Sequence, residues 1–427
     1  MGILDSLFFK GEKSAPAVNP DKEKAQELVN ESKLLILSEG SNLDAYTKKA
    51  LPLVNRALEL DPECADAWGS KAVILMMRPE RIKGSHNEDE DKEALLCLDR
   101  ALELDKADGS SWYHKGKLLQ YGGRYEEALI SFNMAQGCSL TPPSKNMILM
   151  GKGQTLETLG RNTEALSVYD KIPASDSDYR NAAEHKAGIF EKMGKIEEAF
   201  NWYSVAAYAH HKNQDLEKSR ICLDHSLRLK PMEKLILYTK GTLLMEISKS
   251  SQDLSALEEA YRCFDIVLKQ EPENATYLNS SGVCLFQMKR CDEGLETYNR
   301  ALRLNPKNDL VLMNKALGLI KMERYAEALA CLQEVIRIKP GEYNPWIQCG
   351  LIHQDLGRFE DALQDADQVF KIIGDKPMPR EFWTESLKFR IDILKKLGRD
   401  KEAAESEEKM KDIIASRFST RPFWVRG

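Results

Sequence analysis

Nine cysteines, seven histidines and the acidic run Glu88-Asp89-Glu90-Asp91 are the residues with the most obvious chemistry to offer. Paired cysteines at CxxC spacing would announce a zinc or redox site, and the chain has no such pair. His210, His211 and His225 lie close in sequence but make no i, i+4 pair, and no acidic partner stands beside them in the pattern. They read as polar residues at a helix end rather than metal ligands. The acidic run lacks the alternating D-x-D-x-D-G of a calcium loop, so it reads as the solvated tip of an insertion spanning Arg78 to Asp91. Gly2 and Ser6 fit the myristoylation pattern M-G-x-x-x-S/T. The competing reading of Met1 to Lys10 is an amphipathic starting helix or a frayed end. No phosphate-binding glycine loop, dinucleotide fingerprint, zinc-protease helix or nucleophile elbow occurs. The expectation is therefore no catalytic residue, no metal and no cofactor.

Composition narrows the partners. A net charge of −6 and a pI near 5.8, with no dense basic stripe, argue against nucleic acid. No apolar run approaches the ~18 residues of a membrane span. Cys97, Cys222, Cys263 and Cys331 recur in one slot of a repeating pattern, which reads as buried packing in a reducing, cytoplasmic setting.

The elements that would position any site are set by periodicity. Gly282, Ala316 and Gly350 stand at equal intervals, and the same interval separates Gly294, Ala328 and Ala362, and Pro306 from Pro340. A fixed interval in the thirties, with small residues in fixed slots, marks a stacked-repeat architecture. Within one period, Leu312, Ala316, Leu319 and Ile320 recur at helical spacing. Met322 to Tyr325 interrupts them, and Ala328, Leu332, Val335 and Ile336 resume the period. Pro340 cannot continue a helix. Each period thus predicts two helices of about 12 to 15 residues folded into an antiparallel hairpin. Small residues at Ala316 and Ala328 let the two axes approach. A single hairpin cannot bury its apolar face, so neighbours must stack.

Trp112, Gly116, Leu119, Gly123, Tyr125, Ala128, Phe132 and Ala135 resemble the tetratricopeptide repeat almost slot for slot, and Trp68 and Trp346 share the slot of Trp112. Lys71, Lys115, Lys240 and Lys315 depart from the pattern where Leu is usual. About ten to eleven such repeats cover nearly the whole chain. The resemblance implies an all-α, right-handed α-solenoid of stacked antiparallel helix hairpins. Residues 1–20 read as a flexible N-terminal segment and 21–416 as the solenoid. Residues 381–416 form its polar last hairpin as a cap, and 417–427 a tail with Phe418, Phe423 and Trp424. Ser219 follows Ala199 by much less than one full period, so an irregularity is expected over 197–231. A polar loop is expected around Ser248 to Ser255.

In the resembling family, side chains of the first helix of each repeat line a concave groove. The matching residues are Tyr113, Lys117, Gln120, Tyr121, Met150, Gln154, Glu157, Tyr238, Asn279, Gln287, Met313, Lys321, Asn344 and Gln354. Such a surface suits an extended peptide or a helix of another protein. No three successive repeats supply the Lys, Asn and Arg set that clamps a chaperone C-terminus. The leading expectation is a cytoplasmic interaction scaffold with a groove ligand. The alternative is a structural subunit of a larger assembly that packs through its edges and termini. A membrane adaptor resting on Gly2 is a third.

Overall fold

The hairpin expected from Asp309 to Pro340 forms helices Asp309–Lys321 and Tyr325–Ile338, packed side by side. Between them the chain turns through Glu323 at φ 57°, and the Arg324 N–H donates to the Leu319 carbonyl at 2.9 Å. That left-handed residue lets the chain reverse while capping an orphaned carbonyl. The same turn recurs at Gly123, Gly160, Gly194, Gly357 and Gly398, all at positive φ. Just after it, the Arg124 guanidinium donates twice to the Glu127 carboxylate, at 2.7 and 2.6 Å. Arg161–Glu164, Arg290–Glu293, Arg324–Glu327 and Arg399–Glu402 repeat this clamp at the start of their helices.

This is a computed structural model that describes residues 19–39, 42–77, 88–138, 144–251, 253–374, 376 and 378–415. The lipidation pattern at Gly2 and Ser6, insertion residues 78–87 and the aromatic tail 417–427 lie outside the described residues. Twenty-one α-helices, and no strand, occur among them. The chain divides into two compact units, Met1–Ser226 and Leu227–Gly427.

In the first unit five helix pairs follow one another: Pro20–Glu39 with Leu43–Leu60, Ala65–Met76 with Glu88–Leu104, Gly109–Tyr121 with Tyr125–Gly137, Lys145–Thr158 with Asn162–Tyr169, and Tyr179–Lys192 with Ile196–Lys212. The second unit also has five: Lys234–Ser251 with Leu254–Gln270, Ala275–Gln287 with Cys291–Leu304, the pair at 309–338, Asn344–Asp355 with Phe359–Ile373, and Arg380–Lys396 with Asp400–Ala415. Most second helices also pack on the first helix of the next pair. Stacked hairpins of this kind are an α-solenoid architecture.

The close approach inside several pairs is steric. A Cβ on Gly116 would stand 2.8 Å from Phe132 Cε1, on Gly241 2.7 Å from Phe264 Cε1 and on Gly282 2.5 Å from Tyr298 Cε1. Each ring is almost wholly buried, so removing one would cost about 3–5 kcal/mol. Three of the four lysines that depart from the usual Leu have an acidic partner nearby. Lys71 reaches Glu93 at 3.0 Å, Lys115 reaches Asp99 at 2.6 Å and Lys240 reaches Glu259 at 2.5 Å. Lys186, 7% exposed, bonds Asp170 at 2.5 Å with its ammonium 3.3 Å from the Trp202 ring centroid. The aliphatic stems cover core while the ammonium groups meet acids at the surface.

Three local expectations are corrected. Glu88 to Asp91 form the first turn of helix Glu88–Leu104, not a loop tip, because the positive end of the helix dipole favours acids there. The polar loop expected near Ser248 is taken up by the long helices Lys234–Ser251 and Leu254–Gln270, with Asp253 capping the second. His210 does lie in the last turn of helix Ile196–Lys212, as expected, but it is fully buried rather than solvated. Cys97, Cys222, Cys263 and Cys331 are all buried. At the break in register, helix Ile196–Lys212 packs on both sides. The Tyr203 hydroxyl donates to Glu191 at 2.8 Å, its ring stacks on His225 at 4.8 Å, and Ser219 Oγ donates to the Ala207 carbonyl at 2.9 Å.

Candidate functional site

First helices of successive pairs touch one another through the first unit, and in the second unit over the pairs from Lys234–Ser251 to Asp309–Lys321. In the first unit Lys117 Nζ donates to Gln120 Oε1 at 2.9 Å and lies 5.1 Å from the Tyr121 ring centroid. Gln120 Nε2 then donates to Thr155 Oγ1 on the next first helix at 3.2 Å. Gln154 lies 3.2 Å from His185 Nε2, and His185 Nδ1 lies 2.9 Å from Glu157 Oε2. Lys192 Nζ donates to Glu157 Oε1 at 2.7 Å. Burial alone would push the Glu157 carboxyl up, but hydrogen bonds from His185 and Lys192 outweigh it and hold the group below its ordinary range. Burial lowers the Lys117 ammonium. Tyr121 is 56% exposed and Tyr113 half-buried, whereas Met150 is buried.

In the second unit the Tyr238 and Ser280 hydroxyls lie 3.1 Å apart, and Asn314 Nδ2 donates to Asn279 Oδ1 at 2.9 Å. Asn279 is buried and spends its carbonyl on that bond. Gln287, Met313 and Gln354 are half-buried, while Lys321 and Asn344 are exposed. Among the described residues no hydrogen bond joins these five, so they line successive helices without forming a network.

Sequence reasoning missed Thr155, His185 and Lys192, which connect the first-unit residues across helices. It also missed a cavity of about 400 Å³ lined by Trp346, Ile347, Leu351, Phe370, Phe382 and Phe389 among others. Trp68 Nε1 donates to the Pro62 carbonyl at 2.9 Å, and Trp112 Nε1 to the Lys106 carbonyl at 3.0 Å. Trp346 holds the same slot, yet its buried N–H has no partner. The aromatic residues Phe382 and Phe389 on the following first helix were the available signal.

Residues 253–335 match the family model described as anaphase-promoting complex, cyclosome, subunit 3. That match lies in the second unit and covers less than half of the chain. No curated protein matches the sequence. Among solved structures, the type IV pilus biogenesis factor PilW is 17% identical, with 51% of this chain and 95% of that chain covered at a TM-score of 0.42. Pseudomonas aeruginosa PilF is 18% identical, with 52% and 95% covered at 0.40. A tetratricopeptide repeat protein from Parabacteroides merdae is 18% identical, with 66% and 98% covered at 0.33. At these identities and scores the assignment stands on this chain's own geometry. In four pairs a glycine of the first helix is seated under an aromatic ring of its partner: Gly116 under Phe132, Gly153 under Tyr169, Gly241 under Phe264 and Gly282 under Tyr298.

The helix pairs resemble tetratricopeptide repeats in fold.

Tetratricopeptide arrays offer extended surfaces to other proteins, so the chain is a repeat scaffold of the protein-interaction kind. None of its helices, among the described residues, is long and apolar enough to cross a membrane.

Proposed function

We propose that this protein is a non-catalytic scaffold that holds an extended peptide or short helix of a partner protein on its first helices. The observation that carries the reading is the Trp346 cavity. An apolar side chain of a peptide would fill such a space, which is walled by Trp346, Phe370, Phe382 and Phe389. In the first unit, the Tyr121 ring and the polar chain from Lys117 to Thr155 support recognition by an amphipathic anchor and adaptable hydrogen bonds. The net charge of −6 supports a protein partner over nucleic acid, and we place the protein in the cytoplasm. Affinity capture with wild type against the double variant Tyr113→Ala/Tyr121→Ala and against Trp346→Phe tests it. A prey lost with these variants supports the reading, and retention of every prey opposes it.

A second reading has its own support. Leu96 and Ile130, one period apart on successive second helices, are 68% and 60% exposed. An apolar pair repeated on that face suits packing within a larger assembly. Loss of partners on Leu96→Lys/Ile130→Lys, with Tyr121 variants unaffected, would favour it.

A further inference from the structure

Where the chain leaves its register, three side chains from three different helices bring ligand atoms together. Glu184 lies on helix Tyr179–Lys192, His210 on Ile196–Lys212 and Cys222 on the helix Leu216–Leu229. Their ligand atoms all lie within 4.8 Å of one another. His210 is fully buried and Cys222 is 1% exposed, while the Glu184 side chain is 43% exposed. His210 Nε2 stands 3.3 Å from Glu184 Oε2. Its other nitrogen, Nδ1, is buried without a hydrogen bond, with Asp215 Oδ2 at 3.5 Å. A buried imidazole between two carboxylates and a buried thiol is a costly arrangement unless something joins them.

We propose that Glu184, His210 and Cys222 bind a zinc ion that clips three helices together at the break in register, with Asp215 orienting His210. A neutral imidazole, a thiolate and a carboxylate supply two negative charges to a dication, and this mixed N, S, O set suits Zn²⁺ over Mg²⁺ or Ca²⁺. Tetrahedral zinc bonds of about 2.0–2.3 Å put neighbouring ligand atoms about 3.3–3.8 Å apart. The His210–Glu184 spacing already meets this, and the widest pair closes by about 1 Å. On binding, the Sγ–H bond of Cys222 gives way to an Sγ–Zn bond and the proton passes to solvent. His210 gives its Nε2 lone pair and keeps its proton on Nδ1, turned toward Asp215, as outer carboxylates commonly hold metal-bound histidines. The half-exposed Glu184 side leaves a fourth position for water. Cys97 occupies the same repeat slot but belongs to no such cluster among the described residues, which makes it the matched control.

The test loads the full chain with Zn²⁺, removes excess by gel filtration and counts metal by mass spectrometry, then repeats the loading with Co²⁺. Wild type and Cys97→Ser should retain one ion per chain, and the Co²⁺ form should show thiolate charge-transfer absorption. Cys222→Ser should lose both, and Asp215→Asn should weaken affinity about 10- to 100-fold. A folded Cys222→Ser chain that keeps its zinc overturns the proposal. Should that variant not fold, wild type decides alone: no retained ion, or Co²⁺ bound without the thiolate band, overturns it equally.

Discussion

The Tyr169 ring fills the space above Gly153: a Cβ built on the glycine would stand 2.4 Å from Tyr169 Cε1. The glycine sits on a first helix and the ring on its partner, so the pair sets how closely the two axes approach. Gly153→Ala must push the ring or part the helices. Overpacking of this kind costs about 1–3 kcal/mol, while Ala gains about 1 kcal/mol in helix propensity over Gly. A net loss of up to about 2 kcal/mol is expected in urea denaturation. An unchanged midpoint would mean that the ring has room to yield.

Tyr169 carries a second consequence. It is 1% exposed, and its hydroxyl has no hydrogen-bond partner. Burial raises the phenol pKa, so the group stays protonated and unsatisfied. Tyr169→Phe removes a desolvated donor and keeps the ring, which should raise stability by about 1 kcal/mol.

Three hairpin turns place a side chain where glycine belongs: Gln214, Lys289 and Glu323 have φ of 61°, 63° and 57°. Lys289→Gly and Glu323→Gly should each stabilise by up to about 1 kcal/mol, since the left-handed region penalises a Cβ. Gly123→Ala, at φ 73°, should lose about as much. Thermal melts of the three variants, read together, check the sign in both directions.

These turns show what was legible. The spacing of Gly282, Ala316 and Gly350 pointed to helix pairs, and the interruption at Met322 to Tyr325 fell on the turn itself. Periodicity reports which face of a helix is apolar, and that suffices for stacked hairpins. It does not report which polar side chains meet across helices. Glu157 and Lys192 are far apart in sequence, as are Glu184 and His210, yet each pair is in contact. Their encounter depends on the rotation of one helix against the next. Local spacing alone therefore showed His210 no acidic partner, although two carboxylates face it. The expected loop near Ser248 failed for a related reason: the inserted residues lengthened helices rather than leaving them.

Titration should expose the Glu157 network. Its folded carboxyl lies below the ordinary value of 4.5, so its stabilisation is fully present above pH 4.5 and is lost as pH falls through the folded pKa. Glu157→Gln should be less stable than wild type at neutral pH, with the gap closing in acid. His114 acts in another window. Burial lowers it from 6.5 to about 4, so stability should fall as pH drops from 6.5 toward 4, and His114→Gln should flatten that slope.

Binding on the first helices is the central claim, and calorimetric titration with the captured partner peptide tests it most directly. Tyr121→Ala and Trp346→Phe would be compared with Ile130→Ala, a change on a second helix that is 60% exposed. We expect the first two to weaken affinity about tenfold or more, as hot-spot residues do, with Ile130→Ala at the wild-type value and all three melting normally. Affinity that survives both first-helix changes and falls with Ile130→Ala would contradict the account.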